Sequence, residues 1–217
     1  MKFAHIADCH IGSWKDLRLR NANTKAFERA IDKCIESQVD FVLISGDLFN
    51  TSMPAIDELK VVVQKLKELK DKDIQVYIIA GSHDFSPSGK TMLDVLESAG
   101  LLINVAKGEI VDNKLKLKFT IDKKTNAKIT GMIGRRGSLE KEYYRNLIKD
   151  NLEKEPGYKI FLFHSLLSEL KPKDMDKVES QPLSFLPKHF DYYAGGHPHF
   201  VFHTKEKDYG KKLFSNR

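Results

Sequence analysis

Five apolar runs in this chain of 217 residues are each followed at once by side chains that bind metals or move protons. Phe3 to Ala7 runs into Asp8-Cys9-His10, and Phe41 to Ile44 runs into Ser45-Gly46-Asp47. Val76 to Ile79 leads to Gly81-Ser82-His83-Asp84, Lys159 to Phe163 ends in His164, and Tyr192 to Ala194 leads to Gly196-His197-Pro198-His199. Taken singly, each has an ordinary explanation: an Asx turn beside a surface histidine, or a Gly-Asp turn after a strand. Together they carry more weight, because only His5, His189 and His203 of the eight histidines fall elsewhere.

Mixed carboxylate and imidazole donors suit Mn, Fe or Zn and are too rich in nitrogen for Mg or Ca alone. The set holds more donors than one ion needs, which points to two ions with a carboxylate between them. Paired metals about 3.5 to 4 Å apart clamp the attacking and leaving oxygens of a phosphoryl displacement, so phosphate-ester hydrolysis is the chemistry such a set would perform.

The elements between these motifs must bring them to one place. Phe41 to Ile44 and Val76 to Ile79 are continuously apolar, as expected of parallel strands covered on both faces. Asn23 or Thr24 is expected to cap a helix running to about Gln38, with Phe27, Ala30, Ile31, Cys34 and Ile35 on its packed side. Pro54 is expected in the first turn of a second helix to about Lys70. The order βαβαβ calls for right-handed crossovers and a parallel sheet. In one such sheet the ligand-bearing strand ends would share an edge, where α/β folds bind ligands.

Gly89-Lys90-Thr91 imitates the end of a phosphate-binding loop. That motif needs a glycine five positions before Gly89, and Asp84 stands there instead, a carboxylate where phosphate oxygens would lie. Ser88 and Thr91 read instead as helix-starting residues. From Leu101 to Ile121 the pattern becomes half-buried antiparallel strands, and Lys128 to Ile133 reads as a partner strand. It ends at Gly134-Arg135-Arg136-Gly137, a basic, glycine-flanked loop that could hold phosphate, although exposed arginines more often do nothing specific. Leu139 to Leu152 is expected to be one polar helix.

Composition is that of a water-soluble chain: 41% hydrophobic, 30% charged, with no apolar run near the ~20 residues that span a membrane. Only Cys9 and Cys34 occur and Met1-Lys2 leads straight into a strand, so neither a disulfide framework nor a secretory signal is expected and the setting reads as cytoplasmic. A formal charge of +6 favours polyanionic partners.

Asp8-x-His10, Gly46-Asp47, Gly81-Ser82-His83-Asp84, His164 and Gly196-His197-x-His199 resemble, in order and spacing over nearly the whole chain, the motifs of calcineurin-like metallophosphoesterases. Ala7 to Gly12 with Ser45 to Phe49 further resembles the SbcD-type, meiotic recombination eleven branch, whose members repair DNA double-strand breaks with a coiled-coil ABC-type ATPase. The resemblance implies a four-layer α/β/β/α sandwich over residues 1–217 and two Mn ions. Asp8, His10, Asp47 and His199 would hold one ion; Asp47, Ser82, His164 and His197 the other. His83 would stabilise the transition state or protonate the leaving oxygen, with Asp84 orienting its ring. It implies a 3′-5′ exonuclease and single-strand endonuclease, a homodimer, and association with the nucleoid.

Two departures from the family pattern stand out. Ser82 occupies a position where the family usually has asparagine, and a neutral hydroxyl is a poor ligand. A weaker second metal site is expected. The chain also stops at Arg217, soon after His199, so a nuclease core without DNA-capping domain or ATPase-binding segment is expected. The same metals would serve a phosphodiesterase or phosphatase on small nucleotides or phosphoproteins, and an impaired Ser82 site would suit a DNA-end-binding scaffold.

Overall fold

A computed structural model describes residues 1–86, 89–135, 139–172, 175, 177–199, 202–204, 209 and 212–215. Strand β1 (Phe3–Ile6) passes through helix α1 (Leu17–Glu36) to β2 (Phe41–Ser45). Helix α2 (Ile56–Asp71) then leads to β3 (Gln75–Ile79), and α3 (Met92–Ser98) to β4 (Ile103–Asn104). These strands form one parallel sheet in the order β1-β2-β3-β4. After a separate hairpin of β5 (Gly108–Val111) and β6 (Lys114–Leu117) come β7 (Thr120–Ile121) and β8 (Lys128–Gly131). Two short helices, α4 (Lys141–Arg145) and α5 (Asp150–Glu153), precede β9 (Lys159–His164) and β10 (Tyr192–Gly196), and the described strands end with β11 (Phe202–Thr204) and β12 (Lys212–Ser215). The second sheet is mixed and runs β11-β12-β10-β9-β8-β7.

Three separate cores define the layering. Val42 and Ile44 of β2 with Val76 and Ile78 of β3 point one way, onto Phe27 and Ile31 of α1 and Val62 and Leu66 of α2. Their neighbours Phe41, Leu43, Tyr77 and Ile79 point the other way, onto Ile160 and Leu162 of β9 and Ala194 of β10. Phe161, Phe163 and Tyr193 leave the far face of the second sheet and pack with Tyr144, Leu152 and Phe190. Period-two side chains on strands buried on both faces thus give helix, sheet, sheet, helix, the four-layer α/β/β/α sandwich that the sequence resemblance implies. Polar bonds pin the sheets in the middle layer, among them Ser45 Oγ donating to the Ala194 carbonyl at 2.9 Å and Tyr77 Oη to Asp122 Oδ1 at 2.8 Å.

The ligand-bearing strands are therefore divided between two packed sheets, not arrayed along one. Register still aligns their ends: Ile6 pairs with Ile44 and Ile44 with Ile78, while Gly196 pairs with His164 in the second sheet.

Several local expectations are revised. Helix α1 begins six residues before Asn23, because Asp16 caps it by accepting from the Arg18 and Leu19 amides. Leu17 and Leu19 are exposed and so broke the apolar stripe that located the start. Helix α2 begins at Ile56, after Pro54, with Glu58 accepting from the Ala55 amide at 3.1 Å. Ile103–Asn104 pairs parallel to β3, and β8 pairs parallel with β9 as well as antiparallel with β7. The single helix expected over 139–152 is two short ones, because Leu147 leaves the helical path to bridge Leu115. Thr91 caps α3, its amide donating to Asp94 Oδ2 at 2.7 Å, while Ser88, Arg136 and Gly137 lie outside the described residues. Among the described residues no helix is long and apolar enough to cross a membrane.

Candidate metal centre

The loops after β1 and β2 continue to hold each other beyond their strands. The Asp8 amide donates to the Gly46 carbonyl, His10 to Asp47 and Ile11 to Leu48, at 3.1, 2.9 and 3.0 Å. This zipper holds Asp8, His10 and Asp47 at φ of 53°, 44° and 52°, in the left-handed region, and His197 and His199 also have positive φ, 96° and 55°. Such residues cost on the order of 1–3 kcal/mol each and persist where surrounding structure over-determines them, which happens chiefly at functional sites. Gly46 is required twice over: its φ is 89°, and a Cβ there would come within 2.4 Å of His164 Nδ1. At Gly81 a Cβ would lie 2.2 Å from Asp47 Oδ1.

The outcome is a cluster centred on Asp47. Its Oδ2 lies 3.5 Å from His10 Nε2 and 3.2 Å from His164 Nε2, and accepts from Ser82 Oγ at 3.4 Å. Its Oδ1 accepts from the His83 amide at 2.8 Å. On one side, His199 Nε2 stands 3.5 Å from Asp8 Oδ1 and 3.0 Å from His10 Nε2. On the other, the His164 and His197 rings meet edge to face, centroids 5.1 Å apart. The His197 amide donates to both Asp8 oxygens, at 3.0 and 2.9 Å. Ligand atoms of Asp8, Asp47 and His164, of Asp8, His10 and His199, and of His10, Asp47 and His83 each lie within 4.8 Å of one another. All seven residues taken from the sequence as ligands therefore converge, together with His83.

The ring nitrogens indicate what the cluster is built to hold. His164 Nδ1 lies 2.8 Å from the Ser45 carbonyl, an acceptor only, so Nδ1 carries a proton. Nε2 faces Asp47 at 3.2 Å, wholly buried and without a hydrogen-bonded partner. Nε2 and the carboxylate converge on a point that only a cation satisfies, a proton in the metal-free chain or a divalent metal, which this donor set fits. A backbone acceptor that fixes the tautomer of a ligating histidine is also what metal sites use.

Charge in the cluster is strongly coupled. Burial works against ionising Asp47, yet His164, the His83 amide and His10 hold it well below the usual carboxylate range. Burial also opposes charging His164, but Asp47 and Asp8 raise it to about 9. Burial pushes Asp8 up to about 6, with Asp47 and Asp84 adding to the rise and His164 and the His197 amide opposing it. His10 and His197 are lowered to about 4, chiefly by burial, which keeps them neutral and able to ligate.

Asp84 does not orient the His83 ring. Its carboxylate is buried and accepts from the backbone amides of Leu48, Phe49 and Gly81 at 3.2, 3.0 and 3.0 Å. It ties the loop after β2 to the loop after β3. The ring is oriented by the Asn50 carbonyl, 2.9 Å from His83 Nδ1, which leaves Nε2 available. Asn50 and Ser45 were missed from the sequence because each acts through a backbone carbonyl, which residue type does not reveal.

The sequence profile of the calcineurin-like phosphoesterases matches residues 1–200. The chain is 32% identical over 212 residues to the DNA double-strand break repair protein Mre11 of Archaeoglobus fulgidus, covering 92% of this chain and 46% of the relative. It is 32% identical over 209 residues to the Mre11 of Methanococcus maripaludis, covering 92% and 52%. The Mre11 of Sulfolobus acidocaldarius is 31% identical over 218 residues, covering 96% and 51%. The chain thus spans about half the length of these relatives. Among solved structures, a dimetal phosphatase from Danio rerio superposes with a TM-score of 0.58 at 12% identity, over 98% of this chain and 86% of that one, a likeness of fold.

Proposed function

This chain belongs to the calcineurin-like phosphoesterase family, and from that premise we propose that it is the nuclease core of a DNA double-strand-break repair enzyme, active with Mn. The family fold implies a dinuclear metal centre. In our reading Asp8, His10, Asp47 and His199 would hold one Mn ion and Asp47, Ser82, His164 and His197 the other. The observation that carries this reading is the single oxygen, Asp47 Oδ2, within 3.5 Å of donors from both sides.

Bound together, two divalent cations would supply charge stabilisation to the phosphoryl oxygens and lower the pKa of an attacking water. The protein's part is positional. In hydrolysis a water oxygen bonds to phosphorus as the bond from phosphorus to the leaving oxygen breaks, and that oxygen needs a proton. With Nδ1 tied to Asn50, His83 Nε2 is the nitrogen free to hold and deliver it. Asp84 keeps the loop carrying His83 against the loop carrying Asp47.

DNA as substrate is supported by the relatives' similarity and by the charge of +6. The proposed activities are 3′-5′ exonuclease and single-strand endonuclease, in a cytoplasmic, nucleoid-associated setting, with a coiled-coil ABC-type ATPase as partner of the whole protein. Exposed Met53, Ile56 and Val95 around α2 and α3 support a homodimer through those helices. Incubation with Mn of duplex DNA, single-stranded DNA and a chromogenic phosphodiester tests the reading. Cleavage of DNA that His83→Gln abolishes is expected. Cleavage of the small ester alone would make the chain a small-molecule phosphodiesterase, and DNA binding without cleavage a scaffold.

A further inference from the structure

Arg135 stands just beyond β8, beside the metal centre, in a role that the cluster itself does not use. The backbone leading to it is pressed against that centre: Gly134 donates to the Ala80 carbonyl at 2.9 Å, and a Cβ on Gly134 would lie 2.6 Å from His164 Cδ2. The Arg135 amide is anchored to Glu140 Oε2 at 3.2 Å. Glu140 is buried, and its other oxygen accepts from Ser165 and Gln181, so the anchor is fixed from three sides.

The guanidinium is held with equal care. Its carbon lies 4.7 Å from the centroid of Phe85, two residues after His83, and 5.5 Å from that of Tyr143. One terminal nitrogen donates to Tyr143 Oη at 3.0 Å. Aromatic faces and a hydroxyl fix the plane of the fork without neutralising it. Among the described residues no carboxylate lies within ion-pair distance of it, and its Nε is buried with no acceptor. A planar cation pinned by two aromatic rings, with no described carboxylate partner, on the stretch that packs against His164, is complementary to a phosphate monoanion.

We infer that Arg135 binds a backbone phosphate of a nucleic-acid strand, the phosphate next to the one being cleaved. The neighbouring phosphate is assigned because the guanidinium's described contacts are with Phe85 and Tyr143, beside the metal cluster and not within it. A substrate with a single phosphate cannot make this contact, so Arg135 favours strands over small esters. The inference rests on the phosphoesterase reading above and names the substrate feature that the site selects.

The test compares Arg135→Gln and Arg135→Lys with the unaltered chain on a single-stranded oligonucleotide and on a chromogenic single-phosphate diester, in Mn. For Arg135→Gln the ratio of the two kcat/KM values, oligonucleotide over ester, is expected to fall about tenfold, through KM for the oligonucleotide. Arg135→Lys, which keeps charge and loses the fork, falls part of the way. Equilibrium binding of the same oligonucleotide weakens with the same order, and the slope of log affinity against log salt drops by about 0.7. A ratio and a binding constant that both move less than twofold would overturn the inference, as would equal losses on both substrates. If the unaltered chain cleaves neither substrate, the phosphoesterase reading falls, and oligonucleotide binding still decides the role of Arg135.

Discussion

His164 is locked by the Ser45 carbonyl, 2.8 Å from its Nδ1, so that its other nitrogen can only face Asp47. One strand of the first sheet thereby sets the tautomer of a histidine on the second. Ser45 also donates to Ala194, so a single residue ties both sheets together at the floor of the cluster.

If His164 is a ligand, His164→Gln should reduce bound Mn from two ions per chain to one and lower turnover by about a hundredfold or more. Metal analysis after gel filtration reads the stoichiometry. Chelation of the unaltered chain should lower its melting temperature, since ligand at 100 times its Kd contributes about 2.7 kcal/mol. Two ions retained in the variant would remove His164 from the site.

Ser82 is buried and its hydroxyl donates to Asp47 Oδ2, so it is spent on the carboxylate. Ser82→Asn, which adds a carbonyl oxygen, should tighten the weaker Mn step in a calorimetric titration by about tenfold and raise turnover at limiting Mn. Equal affinity and equal rate in both proteins would show that the serine costs nothing.

Asp84→Asn should destabilise the fold by about 2–3 kcal/mol in urea, because an amide cannot accept all three backbone N–H groups that converge on the carboxylate. Activity would fall with it, through the displaced loop. An active-site defect without any loss of stability would restore Asp84 to the role of orienting His83.

His5, half-buried on β1 with Nδ1 3.2 Å from Tyr192 Oη, is lowered to about 3, chiefly by desolvation and against a hydrogen bond to Gly195. The fold favours its neutral form. Its contribution is therefore complete above the ordinary histidine pKa of 6.5 and is lost as pH falls from about 6.5 towards 3, at a slope approaching 1.4 kcal/mol per pH unit. His5→Gln should flatten the stability profile in that window relative to the unaltered chain and leave it unchanged above pH 7.5. Parallel profiles for the two proteins would count against it.

The chemistry was legible because it sits where strands stop. Asp8, Asp47, Ser82, His164 and His197 each follow an apolar run, and any sheet that buries those runs must leave its polar ends at an edge. The start of α1 was less legible, since Asp16 caps a first turn whose leucines face solvent, and so was the break at Leu147, which a contact with Leu115 decides.

By itself the sequence supplied the candidate donors, the family pattern and the helix-strand alternation, because these depend on residue type and local period. Only the tertiary structure decided which strands share a sheet, since strands buried on both faces carry no label for their partner. It alone made Asp47 Oδ2 the common point, turned Asp84 from a partner of His83 into a tie between loops, and gave the His83 and His164 rings their orientation through backbone carbonyls. A hydrogen bond to a carbonyl depends on where the chain runs, whichever side chain it carries there.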